Sequence, residues 1–318
     1  MSSSPPKKTT WSWRSRAVRG LIWQALALAA VLLLLGWLAV NTAHNLQARG
    51  IQSGFDFLLQ PAGFDIGETV LPYDADRPYW QAFAAGVLNT LRVALLGCVL
   101  VTLLGTAVGA GRLSRHPLLR GLCTAYVELF RNIPLLLQLL MWYLLLAQAL
   151  PAIGEARTLG PLTLDKSGLA WVLNEAGDTL FTATPEFLAL LLGLTLYTAA
   201  FVAEVVRAGI SAVPGGQAEA AAALGLSRWQ ALRRVLLPQA LRVIIPPLTN
   251  QYLNLTKNSS LAVAIGYPDV VSIANTALNQ TGRALECIAI IMAVYLLSSL
   301  ATALLMNWYN ARAAIVER

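Results

Sequence analysis

Six stretches of the chain are long and nearly free of charge: 21–40, 87–111, 122–149, 186–208, 241–265 and 285–308. A helix needs roughly 20 apolar residues to cross the hydrocarbon core of a bilayer, so each predicts a membrane span. The first follows the basic passage KKTTWSWRSRAVRG. Its apolar run is longer than the core of a signal peptide, and no small-residue cleavage motif follows, so it is expected to be a retained span. Between the fourth and fifth stretches the pattern changes. Residues 219–238, EAAAALGLSRWQALRRVLLP, are short, basic and helix-forming. Alanines over 218–224 favour helix. Gly225 can take the left-handed conformation that ends a helix, and Ser227 can cap the next. In that second helix Trp229, Leu232, Val235 and Leu236 fall on one side, with Gln230, Arg233 and Arg234 on the other. Pro238 is expected to restart the chain toward the membrane. The pattern alone predicts a small helical hairpin at the membrane surface.

Composition agrees with spans. The 318 residues are 57% hydrophobic and 12% charged, with mean hydropathy +0.60. Soluble domains carry about a quarter charged residues. The expected class is therefore an all-α integral membrane protein with about six transmembrane helices and a cytoplasmic hairpin. The net charge of +7 does not point to nucleic acid, because no basic cluster is interleaved with aromatics on a polar domain. It follows the distribution of loops instead. With the N-terminus in the cytoplasm, thirteen Lys and Arg fall on that side: Lys7, Lys8, Arg14, Arg16, Arg19, Arg112, Arg115, Arg120, Arg228, Arg233, Arg234, Arg312 and Arg318. Five fall outside: Arg49, Arg77, Arg157, Lys166 and Arg283. This bias predicts both termini, and the hairpin, on the cytoplasmic side.

Nothing in the sequence points to catalysis. His44 and His116 are far apart, and no Ser-His-Asp, Cys-His or metal-ligand cluster is present. Cys98, Cys123 and Cys287 lie in apolar runs and read as small buried hydrophobes. The chain has no G-x-x-x-x-G-K-[ST] loop and no Gly-Lys pair, so it is not expected to cradle ATP phosphates.

Charged residues within spans are costly and mark candidate functional positions. Glu128 and Arg131 are three residues apart near the inner end of the third span; Glu204 and Arg207 repeat the spacing in the fourth. Each pair can neutralise itself on one helix face or pair across spans. A structural role and a gate contact are both open. In the fifth span Pro246-Pro247 is expected to interrupt the helix. Lys257 lies about 15 Å further along, with Asn250, Asn254, Asn258, Ser259 and Ser260 around it. A lysine there needs a counter-charge, a polar cavity or a lowered pKa; the carboxylate of a passing amino acid, helix carbonyls and a Glu at a subunit interface are all open as its partner. Gly105-x-x-x-Gly109 predicts close helix packing. The echo of GFDF (54–57) in GFDI (63–66) suggests either a turn-rich external loop or a plain linker, and 151–185 reads as a longer external loop.

The hairpin has a more specific aspect. Glu219-Ala220-Ala221, three residues, Gly225, nine residues, Val235, one residue, Leu237-Pro238 resembles the cytoplasmic signature of ABC importer permeases, with Val235 where the family more often has Ile. VELFRNIPLLLQL (127–139), AAFVAEVVRAGI (199–210), VPGGQAEAAAALGLS (213–227) and LPQALRVIIPPLTNQYLNLTKNSSLA (237–262) are similar to the polar amino-acid subfamily, in the family's order. GFDFLLQPAGFDIGE (54–68) resembles the branch serving general L-amino acids, or glutamate, glutamine, aspartate and asparagine.

The resemblance implies a permease subunit of a binding-protein-dependent importer, multi-pass in the bacterial inner membrane. The implied organisation is a cytoplasmic tail (1–20), an extra transmembrane helix (21–40), a periplasmic segment (41–86), the importer domain (87–309, coupling region 213–238) and a cytoplasmic tail (310–318). Implied partners are a second, related permease chain forming a heterodimer, two ABC ATPase subunits that carry ATP-Mg, and a periplasmic amino-acid-binding protein. This chain itself is expected to bind no cofactor. Gly216, Glu219, Ala220, Ala221, Gly225 and Leu226 would seat the hairpin in the ATPase, small side chains allowing close approach. Lys257, Asn254, Asn258 and Ser259 would line the substrate path. The alternative is a secondary amino-acid transporter working without ATP. That class favours paired broken helices, and the interrupted fifth span has no counterpart in the first half.

Overall fold

The computed structural model describes residues 16–48, 50, 53–153, 155–173 and 179–313. The ends of both expected tails lie outside these. The chain divides into two units, 1–54 and 55–318. The first contains α1 (Arg16–Ala48). Its apolar stretch, Val18–Asn45, is buried nowhere against its own unit. A helix that is apolar all round and about 50 Å long suits a bilayer crossing.

The second unit opens with a strap, residues 55–78, that packs onto its helices. Phe57 is buried edge-on against Tyr79 and Phe83. Asp56 accepts two hydrogen bonds from Arg283, at 3.0 and 3.1 Å. Of the two readings open for the GFDF/GFDI segment, this packing does not fit a plain linker, and the segment is rich in turns, with a 3-10 turn at Asp56–Leu59. α2 (Tyr79–Arg112) follows and lies along α5 (Pro185–Ser211). A Cβ at Gly105 would sit 2.6 Å from Val202, and one at Gly109 would sit 2.7 Å from the Ala203 carbonyl. The two glycines thus set the separation of these helices, as their spacing predicts.

The third expected span is not one helix. α3 (Pro117–Asn132) and α4 (Leu135–Ala149) meet at 104°. Pro134 forces Ile133 into an extended conformation and removes an N–H, so the helix ends there. Two carbonyls freed by the break, Phe130 and Ile133, accept from the Gln138 amide, each at 2.9 Å. Residues 151–185, expected as loop, contain an antiparallel sheet in the order β1 (Arg157–Leu159), β2 (Leu162–Asp165), β3 (Gly168–Val172), β4 (Thr179–Ala183). Strands of three to five residues are too short for alternation to stand out in a sequence. The all-α expectation holds for the bundle, to which this sheet is appended.

Beyond α5 come α6 (Gly215–Ala223), α7 (Arg228–Ala231), a π turn over Leu232–Leu236, and α8 (Leu237–Asn258). The expected interruption at Pro246-Pro247 does not occur, and both prolines lie inside α8. Membrane bundles tolerate such prolines because neighbouring helices hold the segment; α5 and α10 pack on α8. A 3-10 segment, Ser259–Ile265, ends at Gly266, and α9 (Val270–Thr281) leaves at about 50° to the preceding helix. α9 falls between the expected fifth and sixth spans. α10 (Ala284–Ala313) closes the bundle. Among the described residues, four helices are long and apolar enough to cross a membrane, or up to six segments if each bent pair is one span.

Candidate functional site

The hairpin is built as its local sequence dictates. α6 ends in a Schellman motif: Gly225 has φ +74°, its N–H donates to Ala222 at 2.9 Å, and the Leu226 N–H donates to Ala221 at 3.1 Å. Ser227 and Gln230 then form a capping box, with bonds of 3.3 and 2.9 Å. Two expectations change. The second helix does not stop and restart at Pro238 but runs through the π turn into α8. Proline has no N–H to give, and the wider π ladder absorbs the mismatch. Ala221 is 3% exposed, so its small size serves packing within the hairpin, whereas Ala220, Ala222 and Glu219 face outward. Gly216 is also open, while Leu226 is half-buried. The apolar side chains of the turn are uncovered: Leu224 is 81% exposed and Trp229 67%. Alone in water such a patch is unfavourable; exposed apolar patches of this kind belong to protein or membrane contacts.

Of the two expected ion pairs, one forms. Glu204 binds Arg207 at 2.5 Å and also Arg112, which the sequence placed in a loop. Arg112 ends α2 and Glu204 lies near the end of α5, so the fork ties two helices running the same way. Glu128 and Arg131 do not pair among the described residues. The Arg131 guanidinium instead lies 5.0 Å from the Phe201 ring, a cation–π contact. Arg131, Glu204 and Phe201 line a cavity of about 340 Å³ with Val243, Pro247 and Gln251 of α8.

A second cavity, about 360 Å³, adjoins it through Phe201 and Gln251. Its other lining residues are Tyr197, Thr198, Asn254 and Asn258. Tyr197 and Thr198 stand at the midpoint of α5. Asn254 and Asn258 are thus brought together, as expected. Two other expected residues are not. Ser259 is buried and donates to the Thr256 carbonyl at 2.8 Å. Lys257 is exposed and absent from both linings, since it lies to one side of the Gln251–Asn254–Asn258 face. Thr256, its neighbour, lines a groove with Ser298, halfway along α10. Gln251 was legible at positions i, i+3 and i+7 with the two asparagines; Tyr197 and Thr198 were not, being more than 50 residues away in sequence.

Known proteins bear on what this arrangement is. Residues 101–315 match the family described as "Binding-protein-dependent transport system inner membrane component". The chain belongs to this permease family. Its whole length matches the general L-amino acid transport system permease protein AapQ of Rhizobium johnstonii, at 39% identity over 100% of this chain and 99% of that one. YhdX of Escherichia coli, a putative amino-acid ABC transporter permease, is 42% identical over 98% of each. BztB of Rhodobacter capsulatus, a glutamate/glutamine/aspartate/asparagine transport permease, is 35% identical over the full length of both. Among solved structures, an amino acid ABC transporter crystallised with histidines superposes with TM-score 0.58 at 29% identity, over 74% of this permease and 95% of that chain. The ATP-independent alternative finds no support, because the relatives are components of binding-protein-dependent and ABC systems. The permease thus presents an apolar hairpin and an uncharged cavity at the middle of α5 that adjoins the one lined by Glu204.

Proposed function

We propose that this permease imports polar L-amino acids across the bacterial inner membrane, with acidic and amide amino acids as its cargo class. The observation that carries this reading is the full-length match to AapQ and BztB, permeases named for general L-amino acids and for glutamate, glutamine, aspartate and asparagine. The cavity of amides and hydroxyls between α5 and α8 suits such cargo. Two permease chains, this one and a related one, would line the path, fed by a periplasmic binding protein. Two ATPase subunits would hold ATP-Mg and dock the hairpin, since this chain lacks a phosphate-binding loop. Both termini and the hairpin would be cytoplasmic, and residues 41–86 and 151–185 periplasmic.

The experiment is paired: ATPase pull-down, and uptake of labelled amino acid into vesicles. Gly225→Val forces a β-branched residue into a left-handed site, at a cost of about 1–2 kcal/mol. Ala222→Arg adds bulk to an outward face without disturbing the buried Ala221. Both should leave membrane insertion intact and either weaken ATPase binding or uncouple hydrolysis from uptake. Wild-type binding and uptake in both would reduce the hairpin to a surface connector. Cysteine tags at Ser3, Asp76, Ser227 and Glu317 test orientation; labelling of 227 from outside would overturn it.

A further inference from the structure

We propose that the cavity between α5 and α8 is where the permease meets the side chain of its cargo, and that its neutrality, held by Asn258 and its neighbours, admits acidic and amide side chains alike. This rests on the import function above. The lining contains no carboxylate, ammonium or guanidinium. The charged groups nearest in the chain are already engaged or turned away. Glu204 is forked between Arg112 and Arg207, and Arg131 is stacked on Phe201. Lys257 lies outside the lining.

The polar groups that do face the cavity are unspent. Thr198 is 2% exposed, yet its hydroxyl has no hydrogen-bond partner. The side-chain amides of Gln251, Asn254 and Asn258 likewise take no hydrogen bond from the described residues. A buried hydroxyl left unpaired is unfavourable, and native structures leave few. Here the group lines a space of about 360 Å³, which holds a polar side chain together with several waters at about 30 Å³ each.

Amides both donate and accept, so they meet a carboxamide and a carboxylate with complementary hydrogen bonds. They bring no net charge, so an anionic cargo is neither repelled nor trapped. An anion in the wall would change this, because two like charges in a poorly hydrated site repel strongly. Asn258→Asp is close to isosteric and inserts only that charge. Lys257 is its neighbour in sequence, but adjacent residues on a helix do not face one another and cannot cancel it.

The test uses the complete transporter, with its ATPase and binding protein, in proteoliposomes loaded with ATP. Uptake of labelled glutamate and of labelled glutamine is measured separately at saturating binding protein. Asn258→Asp should lower the glutamate-to-glutamine uptake ratio at least tenfold. Asn258→Ser, which keeps a neutral polar group, should leave the ratio within twofold of wild type. An unchanged ratio in Asn258→Asp overturns the assignment. So does an equal fall for both amino acids, which is the mark of a merely structural residue. If the wild-type complex imports neither amino acid, the import function fails and this assignment falls with it.

Discussion

The Arg92 guanidinium lies 2.5 Å from the Glu68 carboxylate, joining α2, just before its midpoint, to the strap that precedes it. Glu68 is buried and also accepts from the Thr184 hydroxyl, at 2.6 Å, and from the Thr184 N–H, at 3.2 Å. Arg92 in turn sits over the rings of Phe181 and Phe187, at 4.8 and 4.2 Å. One carboxylate thus gathers the strap, α2, the end of the sheet and the start of α5. Removing one partner of a buried pair leaves an uncompensated charge and costs about 3–5 kcal/mol. Arg92→Met should therefore lower the thermal midpoint in detergent sharply. Arg92→Met with Glu68→Gln should recover part of the loss. A double variant as unstable as the sum of the single ones would mean that the pair is not coupled.

Gly109 and Gly36 give a matched comparison within apolar helices. A Cβ at Gly109 would meet the Ala203 carbonyl at 2.7 Å and Val206 at 2.9 Å, whereas one at Gly36 meets nothing within 4 Å. Gly109→Val should abolish the folded monodisperse protein, because overpacking against backbone costs about 1–3 kcal/mol or more. Gly36→Val should behave as wild type in size-exclusion chromatography of the purified chain. Normal behaviour of Gly109→Val would mean that α2 and α5 can separate freely.

Gln138→Leu should loosen the bend between α3 and α4. The substitution leaves the Phe130 and Ile133 carbonyls without their donor, at about 1–3 kcal/mol for each buried group left unpaired. Hydrogen exchange over residues 128–140 should speed up at least tenfold, with the amides of α5 little changed. Unaltered exchange would show that the bend is held by packing alone.

Lys257 stands exposed near the end of α8, with no ion pair among the described residues. Because it is turned away from the cavity, its counter-charge is expected on the second permease chain rather than on the cargo. Lys257→Met should reduce co-purification of that chain at least fivefold, and Lys257→Arg should restore it. Intact pairing together with lost uptake in Lys257→Met would return the residue to the substrate path.

Local features were the most legible in the sequence. The hairpin was readable because its turn and cap are written within a few residues: Gly225 for positive φ and Ser227 for the cap. The bend at Ile133-Pro134 was written too, but an apolar run on either side outweighed the proline. α9 was missed because its polar Ser272, Asn275, Asn279 and Gln280 break the run. Its buried Val270, Ile273, Ala274 and Ala277 follow a one-faced helical period that a search for continuous apolar stretches passes over. What no local pattern carries is pairing at a distance. Arg112 finds Glu204, and Asp56 finds Arg283, only through the packing of helices far apart in the chain.

The unbroken passage from α7 through the π turn into α8 makes one lever of two sites. Residues 228 and 254 are about 39 Å apart along it at 1.5 Å per residue. A tilt of about 5° at the hairpin would swing Asn254 sideways by about 3 Å, the diameter of a water molecule. The π turn lies within the lever, where the ladder is one residue out of step, a feature frequent at functional sites. A stroke delivered at Trp229 would thus arrive at the cargo as a re-aimed amide, without any residue in between having to unfold.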